Sequence, residues 1–178
     1  MRGDDVDGDT TKPLVPAAVL VPVVISDTPS ILLTKRTSHL SAHAGQVSFP
    51  GGRIDPEDSG PEAAALREAW EEIGLEAASV QVLGRMADHI TGTGYRITPV
   101  LGLLPPGLNL QLSAHEVEAV FELPISVVLD PNAPKLQRQH VRGVWREYWV
   151  WPHPKHYIWG ATAAVLVRLA ELLREKTV

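Results

Sequence analysis

Residues 52–75 of the chain read GRIDPEDSGPEAAALREAWEEIGL. This stretch predicts a helix over residues 61–73, because a proline suits the first turn and Gly74 suits the left-handed cap that commonly ends a helix. Ser59 and Glu62 have the S-x-x-E spacing of a capping box at the helix start. The segment is therefore expected to form a helix with clearly marked ends.

The side chains of this helix are predicted to divide between two faces. At about 100° per residue, one face carries four apolar side chains: Leu66, Ala69, Trp70 and Ile73. The opposite face carries three carboxylates within an arc of about 100°: Glu68, Glu71 and Glu72. Like charges at this spacing repel, and negative charge near a helix C-terminus opposes the helix dipole. A bound cation would offset that cost, and hard ions such as Mg²⁺ or Mn²⁺ prefer oxygen ligands. A solvated acidic face is the ordinary alternative.

Two glycines precede the helix, in the sequence FPGG at residues 49–52. Paired glycines allow the backbone to approach a ligand closely or to adopt a positive φ. A plain turn is the commoner reason for such a pair. Its position a few residues before a carboxylate-bearing helix favours a place beside a binding site.

The composition restricts the classes of function. The chain has 178 residues, a formal net charge of -5 and no cysteine, so disulfides, thiolate zinc sites and a cysteine nucleophile are excluded. The negative charge argues against a nucleic-acid backbone as partner. Residues 1–13 are acidic and polar, which predicts a flexible tail rather than a signal peptide, and the longest apolar run is too short to cross a membrane. We expect a cytoplasmic protein with no nucleic-acid and no membrane partner.

The rest of the chain predicts strands with a second helix after them. Strands are expected at residues 17–25, 30–36, 80–86, 97–104, 117–123 and 144–151, and a long helix at residues 162–176. No internal repeat or long linker divides the sequence. The pattern predicts one layered α/β domain over residues 14–178.

Residues 52–75 resemble the Nudix box, G-x5-E-x7-R-E-U-x-E-E-x-G-U. The second half of the box matches at seven positions: Arg67, Glu68, Ala69, Glu71, Glu72, Gly74 and Leu75. The first half departs, because counting back from Arg67 puts the expected glutamate on Ser59 and the expected glycine on Arg53. Gly52 therefore stands one residue early, with several acids nearby: Asp55, Glu57, Asp58 and Glu62.

A second resemblance covers residues 32–52, LLTKRTSHLSAHAGQVSFPGG. This stretch is similar to the signature L-L-T-x-R-(S/A)-x3-R-x3-G-x3-F-P-G-G of the coenzyme A diphosphatase subgroup of Nudix hydrolases. Thr37 replaces a serine or alanine of the signature, and Ser41 replaces its internal arginine. Two later stretches, residues 116–124 and 157–160, also resemble this subgroup.

The resemblance implies a Nudix α/β/α sandwich with a mixed sheet and a metal-dependent pyrophosphatase activity. The expected substrate is coenzyme A or acyl-coenzyme A, which would yield 4′-phosphopantetheine and adenosine 3′,5′-bisphosphate. The reaction is attack of water on a phosphorus atom of the diphosphate, assisted by Mg²⁺ or Mn²⁺.

The expected roles of the site residues follow from both the residue pattern and the resemblance. The candidate metal ligands are Glu68, Glu71 and Glu72. The candidate catalytic residues are Arg67, which would orient a glutamate, Glu71 and Glu116. Glu116 leads into a predicted strand and is a candidate ligand or general base, with a solvated loop position equally open. The candidate substrate-binding residues are Arg36, Gly51 and Gly52.

Other readings stay open. The same class of enzyme could act on ADP-ribose or a nucleoside triphosphate, or the chain could be a non-catalytic Nudix-fold module that binds a nucleotide or a protein. The oligomeric state is also open, with a homodimer as one option.

A structural role is the preferred interpretation for the scattered histidines: His43, His89, His115, His153 and His156. The same holds for the tryptophans that could stack on an adenine: Trp145, Trp149, Trp151 and Trp159.

Overall fold

The structure is a computed structural model that describes residues 13–39, 44–141 and 143–175. Most of the predicted tail, together with Ser41 and His43, lies outside these ranges. The strands are β1 Val15–Val24, β2 Ser30–Arg36, β3 Val47–Ser48, β4 Gly51–Arg53, β5 Gln81–Arg85, β6 His89–Ile90, β7 Tyr95–Leu104, β8 Val117–Pro124, β9 Lys135–Val141, β10 Val144–Trp151 and β11 Ile158–Trp159. The helices are α1 Pro61–Ile73, α2 Ile125–Leu129 and α3 Gly160–Glu175, with a 3₁₀ turn at Ala77–Ser79.

The strands form a large mixed sheet and a small antiparallel one. In the large sheet, β1 runs parallel to β7 over its whole length and antiparallel to β2 and β4. The order is β3-β2-β1-β7-β5, with β6 paired to β7 and β8 paired to β2. The small sheet has the order β11-β10-β9. The expected mixed sheet is confirmed.

Residues along the central strands alternate between two apolar layers. In β1, Ala18 and Leu20 are buried in the layer that α1 covers, whereas Val21 lies in the layer that α3 covers. Trp151 of β10 is fully buried in the layer under α3, so the inner end of the small sheet closes this side of the core. The result is the expected α/β/α sandwich, because each face of the sheet is covered by a helix.

Helix α1 packs on the sheet through a face different from the one expected. The sequence placed Trp70 in the core, and this prediction is wrong, because Trp70 is 55% exposed. The buried residues of α1 are instead Ala64, Ala65, Ala69, Glu72 and Ile73. Alanines allow the helix backbone to lie close to the sheet, whereas a large ring would hold it away. Glu72 therefore lies within the buried face rather than opposite it.

The ends of α1 are also partly different from the prediction. Gly74 forms the left-handed cap at the C-terminus, as expected. The capping box is wrong, because the N-cap residue is Gly60 and no side chain caps the helix. The Glu62 carboxylate instead accepts hydrogen bonds from Arg85 of β5 at 2.5 and 2.6 Å. This ion pair ties the first turn of α1 to the large sheet and holds the pKa of Glu62 below its usual value.

The remaining differences concern elements that the sequence pattern did not show. The strands predicted at residues 30–36 and 144–151 have the predicted bounds. Six elements were not predicted: β3, β4, β6, β9, β11 and α2. In the described part of the chain, no helix combines the length and apolar character that crossing a membrane requires.

The alanine packing of α1 predicts a strong dependence on side-chain size. Ala65 is fully buried, so Ala65→Leu should lower the free energy of unfolding by about 1–3 kcal/mol through overpacking. Ala63→Leu is the matched control, because Ala63 lies on the same helix and is partly exposed. It should change stability by less than about 0.5 kcal/mol. Denaturant unfolding of both variants checks this, and equal losses would contradict the packing of α1 described above.

Candidate active site

The two glycines of β4 lie directly against the carboxylates of α1. The Gly51 N–H donates a hydrogen bond to Glu72 Oε2 at 3.3 Å. A Cβ on Gly52 would overlap the Glu68 carboxylate, and a Cβ on Gly51 would overlap the backbone of Ala18 and Val19. Backbone contact thus requires a glycine at position 51, whereas a side chain at position 52 would displace the Glu68 carboxylate.

Glu72 is the buried carboxylate of the site. It is 2% exposed, and Arg36 donates to its Oε1 at 3.4 Å. Burial raises the pKa of Glu72 to about 7, and repulsion from Glu68 and Glu116 adds to the rise. Arg36 and the Gly51 N–H act in the opposite direction. The Arg36 Nε is buried and has no hydrogen-bond partner among the described residues.

Glu68 and Glu116 complete a group of three interacting carboxylates. Burial raises the pKa of Glu68, and repulsion from Glu71 and Glu116 contributes, while Arg67 opposes the shift. Glu116 lies just before β8, where its carbonyl accepts the Thr37 N–H at 2.9 Å. Since Glu116 acts on both Glu68 and Glu72, the fold brings this loop residue into their neighbourhood.

Glu71 has a different position from its neighbours. Its side chain is 52% exposed, and Arg67 donates to its Oε2 at 3.3 Å. Glu71, which was predicted as a metal ligand and catalytic residue, therefore lies at the outer rim of the site. Glu68 and Glu72 face the glycines of β4.

Arg67 organises the loop and the helix. Its Nε and NH2 groups donate to both oxygens of Asp58 at 3.0 and 2.9 Å. It also donates to Glu68 at 3.0 Å and to the Arg53 carbonyl at 3.1 Å. Arg67 therefore connects the loop acid Asp58 with Glu68 of the helix.

Asp58 is a further candidate site residue, which the sequence did not single out. Its hydrogen bonds to Arg67 hold the pKa of Asp58 below its usual value. Counting back from Arg67 pointed to Ser59, which is exposed. Counting forward from Gly52 with the five-residue spacing of the box reaches Asp58 instead. The first half of the box therefore keeps its spacing when it is counted from Gly52. This sequence has one residue more than the box between Asp58 and Arg67.

The residues of the site fit a hard divalent cation by their chemistry. Glu68, Glu72 and Glu116 supply carboxylate oxygens, and their mutual repulsion is the kind that a cation relieves. Within the described ranges, no three histidine or carboxylate side chains are grouped closely enough to form a complete metal-binding set. Arg36 and Arg67 instead engage oxygens of Glu72 and Glu68.

The other candidate side chains lie elsewhere. His89 is buried, and Trp151 is a core residue, as the structural interpretation expected. Trp145 is exposed and contacts the ring of His140 edge-on in the β9–β10 hairpin. His153 and His156 pack on Phe121 of β8.

A mixed sheet between two helices, with a carboxylate-bearing helix packed on a glycine strand, defines an α/β/α domain of the Nudix type. The family described as NUDIX domain matches residues 14–160. The chain belongs to the Nudix hydrolase family.

Relatives and solved structures agree with this assignment. The chain is 43% identical over 155 residues to an uncharacterized Nudix hydrolase NudL of Photorhabdus laumondii, covering 87% of this chain and 83% of the relative. It is 42% identical to NudL of Escherichia coli K12 over 159 residues, covering 86% and 80%. The Nudix hydrolase RenU of M. smegmatis has a TM-score of 0.62 at 23% identity, covering 92% and 88% of the two chains. The NUDIX domain of Shewanella oneidensis NrtR, in complex with ADP ribose, has a TM-score of 0.55 at 19% identity, covering 98% and 95%. At these identities the two structures support the fold alone.

The raised pKa of Glu72 predicts a pH-dependent stability in the presence of a chelator. The folded protein holds a proton on Glu72 up to about pH 7, whereas the unfolded chain releases it near the usual value of 4.5. Stability from this group is therefore complete below pH 4.5 and is lost as the pH rises toward 7. Glu72→Gln removes this dependence, so its stability relative to wild type should rise by about 3 kcal/mol between pH 4.5 and 8. Parallel pH curves in denaturant unfolding would rule out a raised Glu72 pKa.

The Arg67 network predicts a role for Asp58 in positioning. Asp58→Asn weakens the paired hydrogen bonds to Arg67, so the turnover of a diphosphate substrate should fall by about tenfold or more. Asp58→Glu should restore part of the rate, because it keeps the charge. Glu57→Gln is the control, since Glu57 is an exposed neighbour. Steady-state kinetics with circular dichroism checks the variants, and a normal rate for Asp58→Asn would contradict the role.

Proposed function

We propose that this Nudix hydrolase catalyses the metal-dependent hydrolysis of coenzyme A or acyl-coenzyme A to 4′-phosphopantetheine and adenosine 3′,5′-bisphosphate. The observation that carries the reaction type is the contact of Glu68 and Glu72 with the glycines of β4, with Glu116 near enough to raise the pKa of both acids. A domain that only binds a ligand has no need to bury an acid at the cost that Glu72 carries. This argument favours an enzyme over a binding module.

The carboxylates have distinct proposed roles. Glu68 and Glu72 are the inner ligands for Mg²⁺ or Mn²⁺, and the exposed Glu71 is a ligand at the rim. A bound cation of this kind neutralises diphosphate oxygens and lowers the pKa of a bound water. Arg67 fixes the direction of Glu68 through its bonds to Asp58.

Glu116 is the proposed general base or a further ligand. It lies on the loop before β8, so its carboxylate belongs to a different element than the helix acids. The Thr37 N–H holds the Glu116 backbone at the start of β8. An acid supplied from a separate element is suited to take a proton from water without being part of the inner ligand pair.

Arg36, Gly51 and Gly52 are the proposed substrate-binding residues. Arg36 reaches the site from β2, and its unpartnered Nε leaves capacity to bind a phosphate oxygen beside Glu72. Without a Cβ, the two glycines leave the backbone of β4 open to close approach.

The substrate proposal rests on the resemblance of residues 32–52 to the coenzyme A diphosphatase signature. ADP-ribose is the principal competitor, because the NUDIX domain of NrtR is in complex with ADP ribose. Nucleoside triphosphates form the third class. All three contain a nucleotide diphosphate, so the site chemistry described above serves each of them.

A hydrolysis screen tests both the hydrolase activity and the choice of substrate. Wild-type protein is incubated with coenzyme A, ADP-ribose and nucleoside triphosphates, each with Mg²⁺, Mn²⁺ or a chelator, and the products are identified by mass spectrometry. We expect metal-dependent release of 4′-phosphopantetheine with the highest kcat/KM for coenzyme A. Glu68→Gln should lower kcat by about a hundredfold or more, as expected when a metal ligand that supports water activation is lost.

The outcomes separate the substrate from the activity. A clear preference for ADP-ribose or a triphosphate would overturn the coenzyme A proposal and keep the hydrolase. No hydrolysis of any diphosphate, with every metal, would favour the binding module. A Glu116→Gln variant with an unchanged rate and pH profile would show that Glu116 is a solvated loop residue without a role in the reaction.

A further inference from the structure

A group of basic side chains lies on the sheet face opposite Glu72. Lys35 of β2 and His156, which precedes β11, are close enough to interact electrostatically. His156 stacks on Phe121 of β8, and Phe121 packs in the apolar layer under α3. We call Lys35, Phe121, His153 and His156 the histidine–lysine cluster.

The cluster is held in place by ring contacts and one ion pair. The His156 ring lies 3.9 Å from that of Phe121 with an angle of 16° between their planes. His153 lies 5.1 Å from Phe121 and 4.9 Å from His156. Lys35 Nζ donates to Glu118 Oε1 at 2.8 Å. The contacts fix both imidazoles beside the lysine.

Both imidazoles have hydrogen-bonding capacity beyond these contacts. His153 Nδ1 accepts the backbone N–H groups of Lys155 and His156 at 3.2 and 3.1 Å. The neutral His153 ring therefore carries its proton on Nε2, where it is a donor. His156 Nδ1 is buried and has no hydrogen-bond partner among the described residues.

Both imidazoles of the cluster are largely uncharged at neutral pH. Burial and the neighbouring Lys155 lower the pKa of His153. Burial, His153, Lys35 and Lys155 lower the pKa of His156, and only Glu118 raises it. The cluster therefore offers an anion the charges of Lys35 and Lys155 and the hydrogen-bond donors of two largely neutral imidazoles, and Lys35 shares its charge with Glu118. A phosphate that enters here would favour the protonated imidazoles and gain charged hydrogen bonds.

The cluster shares its two strands with the candidate active site. Lys35 directly precedes Arg36, which pairs with Glu72 on the other face of the sheet. Glu118 is two residues beyond Glu116 at the same end of β8. β8 pairs with β2 alone, so it is an edge strand of the large sheet in the described part of the chain. A ligand that passes this end of β2 and β8 can contact both faces.

We propose that Lys35, His153 and His156 bind a phosphomonoester that the substrate carries in addition to its scissile diphosphate. This inference rests on the proposed function, in which that group is the 3′-phosphate of coenzyme A. The cluster would also supply a cationic partner for this phosphate in a sequence that has Ser41 where the subgroup signature has an arginine. The cluster determines specificity and is separate from the carboxylates that perform the reaction.

The test compares ligands that differ only in the 3′-phosphate. The kcat/KM values of coenzyme A and 3′-dephospho-coenzyme A are measured for wild type, Lys35→Met and His156→Gln. Wild type should prefer coenzyme A by about tenfold or more, as expected for hydrogen bonds to a charged group. Both variants should lose most of this preference and keep their rate on the dephosphorylated substrate. Lys135→Met is the control, because Lys135 is an exposed lysine of β9 in the small sheet.

A binding experiment gives a readout that does not depend on hydrolysis. Isothermal titration compares adenosine 3′,5′-bisphosphate with adenosine 5′-monophosphate on the same four proteins. Tighter binding of the bisphosphate by wild type and Lys135→Met, lost in the two cluster variants, supports the inference. Equal binding of the two ligands by wild type, or a preference that persists in Lys35→Met and His156→Gln, overturns it. If no diphosphate is hydrolysed, the proposed function fails, and this titration still decides whether the cluster binds the phosphate.

Discussion

The close contact between strand β4 and helix α1 determines the position of the site residues. The backbone of β4 lies so near the helix that Gly51 donates its N–H to Glu72, and any side chain on Gly52 would overlap Glu68. The contact depends in turn on the buried alanines of α1, which let the helix approach the sheet. Glycines on one side and alanines on the other thus bring carboxylates and backbone together where larger residues would separate them.

This arrangement has an energetic cost that the surrounding charges only partly offset. Burial of Glu72 disfavours its ionised form, and nearby Glu68 and Glu116 disfavour it further. Arg36 and the Gly51 N–H stabilise the ionised form, but the pKa still rises to about 7. A fold selected for stability alone would place an apolar residue at this position. The proposed metal-dependent reaction gives a reason for the acid to be retained at this position.

Part of this structure could be predicted from the sequence, and the rest depends on distances that no local pattern contains. The bounds of α1 were correct because a proline and Gly74 mark its ends. Strands β3 and β4 are too short to show an alternating pattern, so they were missed although β4 forms the site. Trp70 was misplaced because its hydrophobicity was weighed without its volume. The pairing of Asp58 with Arg67 was missed because the box was counted from its helical end.

In the two proposals above, the two faces of β2 separate the reaction from the recognition of the substrate. In a strand, consecutive side chains point to opposite faces, so Arg36 lies beside Glu72 while Lys35 lies beside Phe121 and His156. Because β2 and β8 form one edge of the sheet, the same strand end presents acids on one face and bases on the other. Acids that hold a cation repel an extra phosphate unless that phosphate is bound at a distance from them. In the proposed complex the thickness of the sheet supplies that distance. This is a physical reason why a substrate with two separate phosphate groups would bind across the edge of β8.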